Sequence, residues 1–254
     1  MLKLHLSFFV KVSAFALFFA RAYELYFLKS PLAWTLSELG LNPGHLFLKF
    51  IALLLFAFAV LSLFISHKNF SKYWGFVLPA VVIKLSILFS YFWSNHFYWP
   101  KILEWSWQIF IPLLFLWIYK KYRSFDATRI YLKVLLCASL LPHALDSFAL
   151  FENSSHYVYL TYRLLNIDQF MLGIPNQILA AFHLSMCFFV FVKSVRKPFL
   201  MYALILGLLV ALARLVTGYN QDFVILSTKH FVFDCFLHLP LVLVPLSLLS
   251  LRVK

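Results

Sequence analysis

Acidic residues are scarce in this chain of 254 residues, since Asp and Glu together number 9 against 22 Lys and Arg. Only 12% of the residues are charged and 63% are hydrophobic, which is more apolar surface than a soluble core of this size can bury. Glycine is also rare, at 6 residues, so close packing of the Gly-x-x-x-Gly kind is not expected to organise the helices. The composition excludes a soluble domain and predicts that the chain is embedded in a lipid bilayer.

Cysteine is rare too, and Cys137, Cys187 and Cys235 all lie inside apolar runs. No Cys-x-x-Cys spacing occurs, which argues against a disulfide scaffold and against a dithiol redox motif. The motifs of phosphate-binding loops, zinc metalloproteases and serine hydrolases do not occur either. A net charge of +13 could indicate a nucleic-acid partner for a soluble protein, but here we expect the basic residues to mark membrane topology instead.

Long apolar runs are abundant. A spanning helix needs about 20 mostly apolar residues, and eight stretches qualify: Leu4 to Phe27, Leu46 to Ser66, Tyr73 to Trp93, Ile102 to Tyr119, Ile130 to Phe151, Leu172 to Val192, Phe199 to Tyr219 and Phe231 to Leu251. Prolines interrupt the fourth and eighth stretches, although neighbouring helices can satisfy the freed backbone groups. The sequence predicts an all-α integral membrane protein with eight transmembrane helices.

The basic residues of the connections predict the orientation, because cytoplasmic loops carry the positive excess. One side collects twelve: Lys3, Lys68, Lys72, Lys120, Lys121, Arg123, Arg129, Lys193, Arg196, Lys197, Arg252 and Lys254. The other side has Lys29, Lys101, Arg163 and Lys229. Both termini are therefore predicted to be cytoplasmic. The longest outer connection, from Glu152 to about Met171, is either an interfacial helix or a loop.

Polar residues inside the runs recur at constant offsets, which indicates an internal duplication. At an offset of 130 residues, Lys84, Glu104 and Gln108 match Arg214, Asp234 and His238. At an offset of 122, Arg21 and Glu24 match His143 and Asp146. The prediction is two four-helix membrane units, residues 1–125 and 126–254. An even number of spans in each unit makes the two repeats parallel in the membrane.

The first unit is predicted to hold structural ion pairs. An ionisable residue inside a membrane is a functional-site hypothesis by default, but here two acids face two bases and no histidine completes a site. Buried ion pairs that fix the register of neighbouring helices account for such a balanced set. Its members are Arg21, Glu24, Lys84 and Glu104.

The second unit is richer in groups that could carry chemistry. His230, Asp234 and His238 fall on one face of the eighth helix, and His143 shares a face of the fifth with Asp146. The predicted catalytic set is His143, Asp146, Arg214, Asp234 and His238, with His183 and His230 as further cofactor-binding candidates. Imidazole and carboxylate groups on facing helices also bind metals. The predicted metal ligands are His143, Asp146, Asp234 and His238.

Three interpretations of this cluster stay open. It could hold a divalent metal, serve proton transfer or a quinone-like or anionic ligand without a metal, or be structural. Whether the chain is an enzyme also stays open. Rival functions are a small-solute or proton-coupled transporter, which would need polar residues towards the cytoplasmic face, and a non-catalytic membrane partner subunit.

Each four-helix unit has a base and an acid late in its first span, a base in its third and an acid early in its fourth. This pattern resembles the DoxX-like group, which includes the methylamine-utilisation MauE proteins, here as a tandem duplication. The membrane domain of vitamin K-dependent gamma-carboxylase has a broadly similar helical plan. The resemblance implies a multi-pass protein of the bacterial inner membrane, associated with quinone-linked or thiol redox chemistry. Separately, we expect any reaction to be redox or lipid-modifying, and any protein partner to be a membrane or periplasmic redox partner. The missing Cys-x-x-Cys motif and the doubled length depart from the family pattern.

Overall fold

The computed structural model describes residues 2–28, 30–66, 68–97, 102–103, 105–120, 125–147, 173–218 and 221–250. The described part is helical and contains no strand. Its helices are α1 (Leu2–Phe27), α2 (Pro31–Glu38), α3 (His45–Phe64), α4 (Phe70–Ser94), α5 (Ser106–Lys120), α6 (Phe125–Ser147), α7 (Gly173–Phe189), α8 (Arg196–Gly218) and α9 (Val224–Ser250). A short 3-10 turn, Gln221–Phe223, precedes α9.

Four of the described helices are long and apolar enough to cross a membrane: Leu6–Phe27 of α1, α3, α4 and α9. Two shorter apolar segments, Ser106–Tyr119 and Gln177–Phe189, lie in α5 and α7. The prediction of an all-helical chain with membrane-spanning helices is confirmed at this level. Each of the eight predicted stretches overlaps one described helix, the eight spans themselves stay a prediction, and α9 begins seven residues earlier than predicted.

The short helix α2 lies in the connection between α1 and α3, and the sequence analysis does not predict it. Ser30 caps it, because its Oγ accepts a hydrogen bond from the Leu32 amide at 3.4 Å, and Pro31 occupies the first turn, where a missing N–H does no harm. The helix packs on α4, and Trp93 Nε1 donates to Glu38 Oε2 at 3.0 Å. The connection from Glu152 to Met171, predicted as an interfacial helix or a loop, lies outside the described residues.

Helices α1 and α9 lie at the centre of the packing. α1 packs against α3, α4, α5 and α9, while α9 packs against α1, α6 and α8. The rings of Phe18 and Phe58 meet edge-to-face at 4.5 Å between α1 and α3, and the Phe19 and Phe236 rings lie 4.5 Å apart between α1 and α9. Bulky aromatic packing therefore joins these helices, as the shortage of glycine predicts.

One glycine supports a close helix contact. A Cβ on Gly207 of α8 would lie 2.7 Å from the Leu241 carbonyl oxygen of α9. Pro245, four residues after Leu241, has no N–H to donate to that carbonyl. The freed oxygen faces a residue without a side chain, so the proline and the glycine together set the approach of α8 to α9.

Candidate functional site

A buried polar centre surrounds Arg21, in the last two turns of α1. Arg21 is 0% exposed, and its Nη1 donates to Glu24 Oε2 at 2.7 Å. The two residues are one helical turn apart, so α1 itself holds them on one face. A guanidinium without solvent requires such a partner, because an unpaired charge in a membrane interior is costly.

Gln108, in the first turn of α5, connects the two buried cations. Its side-chain oxygen accepts from Arg21 Nη2 and its backbone oxygen accepts from Lys84 Nζ, both at 2.5 Å. Pro112 lies four residues later and cannot make the helical hydrogen bond to the Gln108 carbonyl. The proline thus supplies an acceptor for the ammonium of Lys84, which is 0% exposed on α4.

Tyr91 completes the centre from α4. Its hydroxyl donates to Glu24 Oε1, the carboxylate oxygen that Arg21 does not use. The Arg21 guanidinium carbon also lies 4.4 Å from the centroid of the Tyr91 ring, within cation–π range. Sequence analysis missed Tyr91; its position one turn beyond Ile87 on the buried face of α4 was the available signal.

Two donors in this centre are left over. Arg21 Nε and Gln108 Nε2 are buried and have no hydrogen-bond partner among the described residues. Among the described side chains, the centre contains two basic groups, Arg21 and Lys84, and one carboxylate, Glu24. Glu104, the fourth member of the predicted ion-pair set, lies outside the described residues. These two donors can therefore bind a hydrogen-bond acceptor that comes from another part of the chain or from a ligand.

The centre borders α9, which belongs to the predicted second unit. The Phe233 ring lies 5.8 Å from the Arg21 guanidinium carbon. Trp107, next to Gln108, donates from Nε1 to the Leu237 carbonyl at 3.2 Å, and its ring centroid is 6.0 Å from that of His238. His238, 4% exposed, was predicted as a site residue of the second unit. The structure places His238 beside Trp107, the sequence neighbour of Gln108 in the Arg21 centre.

The other predicted site residues are more scattered or lie outside the description. Asp234 is half-buried, and its backbone oxygen lies 2.8 Å from His238 Nδ1. His230 is exposed, while His183 is fully buried with its ring 5.9 Å from that of Tyr202. The side chains of the three remaining predicted residues, His143, Asp146 and Arg214, lie outside the described part.

A metal site is not visible among the described side chains, where no three His, Cys, Asp or Glu residues come together. Two of the four predicted ligands, His143 and Asp146, are not among these side chains. The metal hypothesis therefore stays a prediction.

No model of a known protein family, no curated protein and no solved structure matches the chain. The resemblance to DoxX-like proteins therefore stays a prediction as well.

Proposed function

We propose that this is a multi-pass inner-membrane protein that binds a carbonyl-bearing or anionic ligand, of the quinone or lipid class, at the Arg21 centre between its two units. The observation that carries the proposal is a pair of buried donors, Arg21 Nε and Gln108 Nε2, which have no hydrogen-bond partner among the described residues. Two basic side chains, Arg21 and Lys84, lie beside one described carboxylate, Glu24. Both groups favour an acceptor oxygen, and a guanidinium binds carbonyl and anionic groups well in a dry site.

The helix contacts support the predicted duplication. Under the repeat, α1, α3, α4 and α5 correspond to α6, α7, α8 and α9. The contacts of α1 with α3, of α1 with α5 and of α4 with α5 have counterparts between α6 and α7, α6 and α9, and α8 and α9. The repeat also relates the contacts between the units: α1 contacts α9, and the equivalent pair, α6 and α5, is in contact as well.

A contact between equivalent residues adds to this support. Trp107 and Leu237 are 130 residues apart, which is the repeat offset, and they hydrogen-bond each other. Two equivalent positions touch when a two-fold relation passes between them. The Arg21 centre lies beside this contact, so the proposed ligand site is close to the proposed two-fold axis between the units.

The first-unit geometry also supports a related arrangement in the second unit. The repeat pairs Arg21 with His143, Glu24 with Asp146, Lys84 with Arg214 and Gln108 with His238. A second centre of this kind would replace a permanently charged guanidinium with an imidazole that can exchange protons. We therefore propose that the second centre moves protons to or from a ligand that the first centre orients.

Thermal unfolding of the purified protein in detergent tests the ligand site. A substituted benzoquinone and an anionic phospholipid are the probes, and wild type is compared with Lys84→Gln and with the exposed control Lys72→Gln. One probe should raise the unfolding midpoint of wild type and Lys72→Gln by several degrees and leave Lys84→Gln unchanged. If neither probe shifts wild type, the centre is structural.

A structural partner subunit is the second candidate, because Arg21, Glu24, Tyr91 and Gln108 already bond to one another. In this function Glu104, instead of a ligand, is the partner of the remaining basic side chain of the centre. Glu104→Gln separates the two functions. The partner-subunit function predicts a large loss of stability that no probe restores, whereas the ligand site predicts tighter binding of an anionic probe.

A further inference from the structure

Two cysteines that are fifty residues apart in the sequence meet between α6 and α7. Cys137 Sγ donates to the Cys187 carbonyl at 3.4 Å, and Cys187 Sγ donates to the Cys137 carbonyl at 3.6 Å. The Cys187 carbonyl is among the last four of α7, which lack a partner within the helix, so it is open to this thiol.

Small residues let these two helices approach closely. Ala144 lies seven residues after Cys137 on α6, and Ala180 lies seven residues before Cys187 on α7. If the two helices are antiparallel, these alanines face each other, and both are 0% exposed. Alanines at a membrane helix interface allow the backbones to come near each other. Near approach is what a disulfide requires, since it joins Cα atoms that are about 4.4–6.8 Å apart.

The cysteine pair faces lipid and has a cation beside it. Both cysteines are half-buried, and their neighbours Val134 and Phe188 are 53% and 70% exposed. Lys133 lies one turn from Cys137 and interacts with it electrostatically. The Lys133 ammonium can stabilise the thiolate that forms when the pair reacts, and the thiolate is the reactive form of cysteine.

We propose that Cys137 and Cys187 are a lipid-facing dithiol that reduces a hydroperoxide dissolved in the bilayer and closes to a disulfide. The Cys137 sulfur attacks the peroxide, the O–O bond breaks, and an alcohol leaves with the thiol proton, which gives a sulfenic acid. The Cys187 sulfur then attacks the sulfenic sulfur. Its proton leaves with the hydroxyl group as water, so two thiols supply the two electrons that reduce one peroxide.

Cumene hydroperoxide is the probe, added to the reduced protein in lipid nanodiscs before thiol alkylation and mass spectrometry. Cys235, also half-buried on α9, is the internal control. We expect the loss of two alkylatable thiols, one joined Cys137–Cys187 peptide and one cumyl alcohol per chain, with Cys235 still alkylated. Cys187→Ser should stop at a sulfenic acid on Cys137 that dimedone captures, and Lys133→Gln should react more slowly.

Equal oxidation rates for all three cysteines would overturn the proposal, as would cysteine oxidation without the joined peptide. A Cys137→Ser variant that still releases cumyl alcohol at the wild-type rate would also overturn it. Circular dichroism of each variant verifies that the helices are retained, so a loss of reaction is not a loss of fold.

Discussion

Arg21 is held by contacts of three kinds: an ion pair with Glu24, a hydrogen bond to Gln108 and the face of the Tyr91 ring. Each contact comes from a different helix, α1, α5 and α4. A single residue therefore fixes the relative placement of three helices, and changes at this position are expected to act on all three.

Breaking the Arg21–Glu24 pair should cost more than removing both charges. We expect Glu24→Gln or Arg21→Leu to lower the free energy of unfolding by about 3–5 kcal/mol, because the remaining charge stays buried without its partner. The double variant Arg21→Leu/Glu24→Leu should lose less than either single change. Thermal unfolding in detergent measures this cycle, and strictly additive effects would show that the two charges do not interact.

Tyr91 contributes its hydroxyl and its ring separately. Tyr91→Phe keeps the ring over Arg21 but removes the donor to Glu24, and we expect a loss of about 1–2 kcal/mol. Tyr91→Leu also removes the cation–π contact and should lose about 1 kcal/mol more. The two variants are compared by the midpoint of unfolding. Equal midpoints would mean that the ring adds nothing beyond its apolar surface.

At the scale of helices, proline and glycine act as a pair where α8 meets α9. Pro245 frees the Leu241 carbonyl, and Gly207 leaves room for it. Pro112 acts in the same way in α5, where the freed Gln108 carbonyl receives Lys84. Helix-breaking residues thus create polar contacts between helices in this fold without ending the helices.

Two glycine variants test the close contact between α8 and α9. Gly207→Ala should destabilise the protein, because the new Cβ meets a backbone oxygen that cannot move aside. Gly75→Ala on α4 is the matched control, with nothing within 4 Å of its Cβ, and should be neutral or more stable by about 1 kcal/mol. The unfolding midpoints of the two variants are compared. A stable Gly207→Ala protein would contradict the contact.

The sequence predicts the long helices well, because apolar runs of about 20 residues have few alternatives in a membrane. It does not predict α2, which has eight residues, or the early start of α9, where Lys229 interrupts the apolar run. Sequence spacing pairs Arg21 with Glu24 but cannot find Tyr91 or Trp107. Nor can it pair Cys137 with Cys187, because that contact depends on how α6 and α7 pack.

In the whole molecule, we propose that two parallel four-helix units meet through α1, α5, α6 and α9. Four of the described helices are long and apolar enough to span a membrane, and helix contacts exchange under the proposed repeat. The Arg21 centre and its second-unit counterpart would then lie in the same half of the membrane. An inverted pair of units would place them in opposite halves.

Side-specific cysteine labelling distinguishes parallel units from inverted ones. In a background without the native cysteines, single cysteines replace Asn42 and Ser154 in the outer connections and Ser71 and Ser194 near the inner ones. A membrane-impermeant maleimide is applied to right-side-out vesicles. Parallel units predict labelling at 42 and 154 and protection at 71 and 194 until the membrane is opened. Labelling of 42 and 154 from opposite sides would contradict parallel units.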